Sequence, residues 1–417
     1  MSHTRELQIK GPRLLDRLER LATIGRREDG SCCRVALTDQ DKAGRDLVVS
    51  WMRELGLEVR VDRVGNIFGI RAGHEDLPPV MTGSHIDTVA TGGKYDGCLG
   101  VLAGLEVVQT LNEAGIRTRS PLVVAVFTNE EGVRFQPDML GSLVHAGGME
   151  SHEALAILGT DGAILGAELE RIGYAGPMEP GTLVPSAFVE LHIEQGPILD
   201  LAGEALGVVQ DLQGISWQEI TLRGVSNHAG TTPMQLRHDA GYGAARLACF
   251  VRDLVLNLGG SQVGTVGSLR LLPGLINVIP GEAAVTVDLR NTDEGRLRKA
   301  EDHLAAFVHE LGQQEGLAVS TRRLARFAPV TFAPAIVSAI KHAAMTLAQP
   351  IRTMTSGAGQ DAQMLARLCP SAMIFVPSIG GISHNPAERT RPEHLELGAN
   401  VLLHTLLELA ENGSSAI

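Results

Sequence analysis

Two kinds of side chain able to hold a cation recur along this chain at strand ends. In "GSHIDTVATGGKYDG" (83–97), His85 is followed by Asp87 and, after a pair of glycines, by Asp96 next to Gly97. Imidazole nitrogen and carboxylate oxygen are the donors expected for zinc and similar first-row ions. The two oxygens of one Asp can also face two cations. On an extended strand His85 and Asp87 fall on the same side. Asp87 is therefore expected to hold the His85 ring from behind, as carboxylates do for metal-bound imidazoles. "VVAVFTNEEGVRF" places Glu130 and Glu131 just past a β-branched run. One of the two could bind metal while the other takes a proton from water. His192 in "VELHIEQGP" has Glu190 and Glu194 as same-face neighbours, and His384 sits in the Gly-rich "GGISHNPAE". Taken singly, each is an ordinary polar loop residue or a satisfied strand histidine. Taken together, His85, Asp96, Glu131, His192 and His384 have the chemistry for two divalent ions sharing Asp96.

Such a set converges only if rigid elements bring it together. "PVMTGSH", "PLVVAVFT", "SAFVELHI" and "SAMIFVP" read as strands, and the candidates lie at or just beyond their ends. That is where open α/β sheets place their ligands. Helical spacing in "PRLLDRLERLATIG", "DKAGRDLVVSWMRELG", "GVLAGLEVVQTLNEAG", "AIVSAIKHAAMTLA" and "PEHLELGANVLLHTLLELA" alternates with the strands, which argues for an α/β fold with the sheet covered on both sides. Near Gly214 the style changes. "SWQEITLRG" and "AAVTVDLRN" alternate with the two-residue period of half-buried strands. With the patterns between and after them they spell strand, helix, strand, strand, helix, strand, a small α+β sandwich. The expected organisation is a catalytic domain from 1–213 and 331–417, with a second domain, 214–330, inserted. The links near Gly214 and residue 330 would let the insert close over a substrate.

Bulk properties narrow the partners. The 417 residues carry 36 Lys and Arg against 48 Asp and Glu, a formal charge of −12. An acidic chain is a poor ligand for polyanions, so neither nucleic acid nor an anionic membrane is expected. Five cysteines without ligand spacing point to reduced thiols and a cytoplasmic location. "MSHTRELQIKGPRLL" has no apolar signal region, and no run approaches the ~18 apolar residues of a membrane span. The closing "NGSSAI" is expected to fray.

Five segments in order, "GSHIDTV…GGKYDG", "NEEGVRF", "LHIEQGP", "SNHAGTTPM" and "SHNPAE", resemble the carbamoylase and allantoate amidohydrolase branch of the dinuclear (M20-type) metal amidohydrolases. The branch includes N-carbamoyl-L-amino acid hydrolases, allantoate and ureidoglycolate amidohydrolases and β-ureidopropionase. The resemblance implies a mixed-sheet, metallopeptidase-like catalytic domain with a ferredoxin-like lid and dimerisation domain. It implies one ion on His85, Asp96 and His192 and another on Asp96, Glu131 and His384. Zinc comes first, with manganese, cobalt or nickel as alternatives. Glu130 would be the general base that later protonates the leaving nitrogen. His228 would contact the substrate carbonyl or oxyanion, reaching the site of the neighbouring subunit of a homodimer. Asn277 and Arg290 would bind the substrate carboxylate, and Gln195 and Gly359 would add contacts. Gln360 in "SGAGQDAQ" stands where the branch usually carries His. It can donate and accept but cannot titrate. The backbone N–H groups of its loop, ahead of "DAQMLARL", could cradle an anion. The implied reaction hydrolyses an N-carbamoyl-L-amino acid or related ureido acid, small molecules both, to amino acid, ammonia and carbon dioxide. Beside it stand an aminoacylase or dipeptidase and a non-catalytic binding homologue.

Overall fold

The computed structural model describes residues 6–412. The segment expected to fray therefore lies, apart from Asn412, outside the described residues. The chain forms two compact units, one from the residues up to Gln210 together with those from Thr331 on, the other Asp211–Val330.

Among the described residues thirteen strands follow one another as β1 (Glu58–Val61), β2 (Ile67–Arg71), β3 (Val80–His85), β4 (Leu122–Phe127), β5 (Ala187–Ile193), β6 (Gly207–Leu212), β7 (Gly214–Arg223), β8 (Val263–Leu272), β9 (Glu282–Asn291), β10 (Ala318–Phe327), β11 (Val330–Thr331), β12 (Arg352–Ser356) and β13 (Ser371–Val376). Nine of them make a mixed sheet in the order β1-β2-β4-β3-β5-β13-β6-β11, with β12 also paired to β6. Its centre is parallel: β3 pairs with β4 and β5, and β5 with β13. Every residue of those four strands is buried. That is why β4 and β13 run apolar almost without interruption, as strands covered on both faces do, while β3 and β5 carry buried polar residues such as Ser84, Glu190 and His192 towards the site. After β3 the chain turns to β4 on one side and later to β5 on the other. The resulting crevice between neighbouring strand ends is the usual ligand position of an open α/β sheet. Helix Cys98–Glu113 starts directly after Asp96 and Gly97 and is buried along most of its length. It is mostly apolar, as a helix enclosed in a core must be, and its buried Glu106 is paired with Arg13 and Arg17.

The second unit is a four-stranded antiparallel sheet in the order β10-β7-β9-β8. Its helices Ala240–Leu258 and Glu294–Glu315 follow β7 and β9. Connectivity and order together are those of a ferredoxin-like sandwich. The alternation legible in β9 is the observed burial, inward Val285, Val287 and Leu289 packing with Leu247 and Leu304. Both helices are capped by aspartate: Asp239 accepts from the amides of Gly241 and Tyr242, and Asp293 from that of Arg296.

One buried histidine belongs to the core and not to the candidate chemistry. His145 lies 5.0 Å from the ring of Phe68 and 6.2 Å from that of Phe127, centre to centre. Its Nε2 donates to the Leu183 carbonyl at 3.1 Å, and its Nδ1 accepts from the Gly181 amide at 3.3 Å. Both nitrogens are thus used by the neutral ring, and burial pushes its pKa down to about 4. The unfolded chain, titrating near ~6.5, binds a proton that the folded protein refuses. This contribution to stability is complete above about pH 6.5 and is lost as pH falls towards 4. At pH 5 the loss is roughly 2 kcal/mol. Denaturation of the wild type and of His145→Gln at pH 7.5 and pH 5 is expected to show the smaller acid loss in the variant. Identical losses would mean that His145 does not titrate on unfolding.

Candidate metal centre and active site

Asp96 is the meeting point of the candidate residues. Its Oδ1 lies 3.2 Å from His192 Nε2 and 3.8 Å from His85 Nε2. Its Oδ2 lies 3.2 Å from His384 Nε2, which is itself 3.4 Å from Glu131 Oε2. Two groups result, His85–Asp96–His192 and Asp96–Glu131–His384, each with donor atoms within 4.8 Å of one another. Glu130 stands beside the first, its Oε2 3.4 Å from His85 Nε2.

Each side chain arrives by a short route from a rigid strand. His85 is the last residue of β3, and His192 the last but one of β5. Glu130 and Glu131 follow β4 by three and four residues, and His384 comes from the loop after β13. The two buried imidazoles are oriented from behind by main-chain carbonyls: His85 Nδ1 bonds the Asp87 oxygen at 2.9 Å, and His192 Nδ1 the Ile193 oxygen at 2.8 Å. Both Nε2 atoms are thereby aimed at Asp96, the tautomer a metal requires.

This corrects the expectation for Asp87. Its carboxylate is 3.9 Å from His85 Nδ1, and only its backbone carbonyl supports the ring. The strand ends at His85, so strand alternation no longer fixes where the Asp87 side chain points. The Asp87 carboxylate instead accepts from the amides of Glu130 at 3.2 Å and Glu131 at 3.3 Å, fixing the start of that loop. At the Gln360 loop one of the amides expected to face an anion already serves a carboxylate. The helix there is only Asp361–Leu365, and its Ala362 amide is taken by Glu190 Oε2 at 2.8 Å.

Gln360 is buried and joins the centre through a second amide. Its Nε2 donates to Gln195 Oε1 at 2.8 Å, and Gln195 Nε2 donates to Asp96 Oδ2 at 3.0 Å. The direction of this chain is set at Asp96, since a carboxylate can only accept. Gly359 precedes Gln360 in the same loop. His228, Asn277 and Arg290 belong to the other unit. There His228 is exposed, with Nδ1 accepting from the amides of Gly230 at 3.0 Å and Thr231 at 3.2 Å. It is bridged to Val278, so Asn277 is its neighbour. Arg290 is not near them. It lies towards the far end of β9, where its Nε is 3.1 Å from both Asp288 oxygens and its Nη2 2.9 Å from one.

Sequence reasoning gave no role to Glu388, although it closes the quoted "SHNPAE". It is buried, accepts from the Tyr95 amide at 3.0 Å and the Asp96 amide at 3.4 Å, and bonds Ser383 Oγ at 3.1 Å. It therefore ties together the two loops that carry Asp96 and His384. The signal available was a carboxylate four residues after a candidate histidine. Asp361 was passed over likewise; its Oδ1 accepts from Ser142 Oγ at 2.5 Å.

Electrostatics shows what the centre lacks without a cation. Burial, then the nearby Asp361, Glu131 and Asp96, hold the Glu130 carboxyl well above its ordinary range. Glu131 is raised by burial and by Asp96 and Asp87. For Asp96 burial is outweighed by hydrogen bonds to His192 and His384, and its carboxyl stays well below the usual range. His192 is pushed up to about 9: burial opposes this, and the Asp96 contact overcomes it. Burial lowers His85 to about 4. Three carboxylates, Asp96, Glu130 and Glu131, crowded beside two buried imidazoles and the exposed His384 are costly unless positive charge is placed among them. Nitrogen and oxygen donors in two groups sharing one carboxylate fit a pair of divalent first-row ions.

A family model described as Peptidase family M20/M25/M40 matches residues 81–408. The chain belongs to this family. Similar proteins include an N-carbamoyl-L-amino-acid amidohydrolase of Rhizobium meliloti, 42% identical over 405 residues that cover 97% of each chain. An allantoate amidohydrolase of Bacillus subtilis is 34% identical over 411 residues, covering 97% of this chain and 99% of that one. Among solved structures, a hydantoinase/carbamoylase family amidase from Burkholderia vietnamiensis superposes with a TM-score of 0.90 at 45% identity, covering 97% of this chain and 98% of that one.

Gly97 shows how tightly this family member is packed at its centre. Its φ is +63°, and a Cβ there would overlap the His85 ring. Gly97→Ala is expected to weaken metal retention about tenfold or more, read by metal analysis after dialysis against a chelator, with the far-ultraviolet spectrum kept. Full metal retention in that variant would show that the ring has room to move.

Proposed function

We propose that the protein is a metal-dependent amidohydrolase that cleaves the C–N bond of an N-carbamoyl-L-amino acid or closely related ureido acid, releasing amino acid, ammonia and carbon dioxide. The observation that carries this reading is the single carboxylate of Asp96 divided between two donor groups, with Glu130 alongside. It is supported by likeness over nearly the whole chain to amidohydrolases named for such substrates.

In this reading His85, Asp96 and His192 hold one divalent ion, and Asp96, Glu131 and His384 the other, with zinc first and manganese, cobalt or nickel as alternatives. When bound, such a pair acidifies a water molecule and polarises the carbonyl of a urea or amide, a poor electrophile by itself. Glu130 takes the proton from the attacking water and passes it to the departing nitrogen. Gln195, steadied by Gln360, and the Gly359 loop line the position of the ureido group. Arg290 meets the substrate carboxylate with its planar fork, which Asp288 holds ready in the free protein. The five cysteines are all free thiols, which supports a reducing, cytoplasmic setting.

The second unit argues for a homodimer. From Glu282 to Arg290 strand β9 spans roughly 26 Å. The His228–Asn277 pair lies beyond its start and Arg290 near its end. No N-carbamoyl amino acid reaches from one to the other, so both cannot serve the same substrate from one chain. We assign His228 and Asn277 to the site of the partner subunit. Edge strand β8 and the loop after it leave Leu269, Leu272, Leu275 and Ile276 exposed, an apolar border suited to a second copy.

Two experiments test this reading. On a panel of N-carbamoyl, N-acyl and ureido acids, the metal-loaded protein should release ammonia from the first and last. Glu130→Gln should keep its metal and lose about 10²–10⁴ in kcat. Deacylation without ammonia would favour an aminoacylase or dipeptidase, and undiminished turnover would remove Glu130 from the chemistry. Separately, His228→Ala and Arg290→Ala should each be nearly inactive alone, yet regain roughly a quarter of wild-type activity when subunits are mixed and exchanged. Each mixed dimer then holds one complete site, and random pairing makes half the dimers mixed. No recovery on mixing would place both residues at the site of one chain.

A further inference from the structure

A cavity of about 630 Å³ lies in the first unit, and its walls are built for an anion. Arg26 lines it after the first helix, Lys94 and Tyr95 from the loop leading to Asp96, and Arg389 and Arg391 from the segment ahead of helix Pro392–Asn412. The lining thus carries four cationic side chains against two carboxylates, Asp29 and Glu388. That is a surplus of 4 − 2 = +2, in a protein whose formal charge is −12.

Neither carboxylate neutralises the arginines. Asp29 accepts from the amide and hydroxyl of Ser31. Glu388 is turned inward to the amides of Tyr95 and Asp96. Lys94 is paired with Glu19, and Arg26 reaches Glu19 only at 4.0 Å. Arg389 and Arg391 are exposed, and their guanidinium groups bond no described residue. The 21-residue helix that opens at the wall with Pro392 turns its positive end to the same place. Two unpaired guanidinium forks, with Arg26 and the Glu19-paired Lys94 beside them and a helix start whose first turn carries Glu393, are grouped around one concavity, and such forks recognise phosphate or carboxylate groups.

We propose that this cavity binds a compact polyanion, carried on phosphate or on two or more carboxylates. Tyr95, in its wall, is the residue before Asp96, and Glu388, on another side, ties the Asp96 and His384 loops together. The ligand would therefore touch both loops of the metal centre without using any of its donor atoms, which is the position of an effector and not of a substrate.

Isothermal titration of the metal-loaded protein with pyrophosphate and with citrate, at low ionic strength, tests this. At least one is expected to bind with a Kd below about 1 mM, and about tenfold or more weakly in Arg389→Ala/Arg391→Ala. The double variant should keep wild-type turnover in the absence of added anion. Tighter binding of pyrophosphate identifies a phosphate-bearing ligand, and tighter binding of citrate a polycarboxylate. Failure of both at about 10 mM would overturn the proposal. So would equal binding to the double variant, the result expected if the anion simply sits on the metal ions.

Discussion

The architecture of the first unit is organised around one carboxylate with two faces. Asp96 turns Oδ1 to His192 and His85 and Oδ2 to His384. Those three rings come from the ends of β3 and β5 and from the loop after β13. A shift of one strand by one residue would turn its side chain to the other face of the sheet. Registers such as His85 opposite Phe127 and His192 opposite Phe375 are therefore part of the chemistry. Full burial of the central strands is what makes those registers firm, because every slip would have to repack both faces.

The same site explains the polar groups buried beneath it. Asp87 anchors the Glu130–Glu131 loop through two amides, Glu388 anchors the Asp96 loop, and Glu190 accepts from Ser84 and the Ala362 amide. These carboxylates serve backbone N–H groups that no strand or helix partner satisfies. They also crowd negative charge together, and burial with mutual repulsion lifts the proton affinity of several of them, Asp87 and Glu388 to about 7. Structural support and cation binding are thus linked: the groups that fix the loops also deepen the demand for positive charge.

Much of this was legible in the residues themselves. The continuous apolar run of β4 announced a strand buried on both faces, and the alternation of β9 announced a half-buried one. Asp87 was misread because spacing alone cannot say where a strand stops. Two residues after His85 the chain has already left the paired strand, and the carbonyl, not the carboxylate, bonds the ring. Glu388 and Asp361 escaped notice because their partners are main-chain amides and a hydroxyl far away in sequence, such as Ser142 for Asp361. No local pattern marks an acceptor for a distant donor.

By itself the sequence determined which side chains were available, that they stood at strand ends, and the order strand, helix, strand, strand, helix, strand in the second unit. These are consequences of periodicity and residue chemistry, which act over a few neighbours. Only the tertiary structure decided that positions from 85 to 384 meet within a few ångströms. It alone separated Arg290 from the His228–Asn277 pair by most of a strand, and joined Gln360 to Asp96 through Gln195. Such distances depend on strand order and register, which are set by packing across the whole sheet and leave no trace in the spacing of residues along the chain.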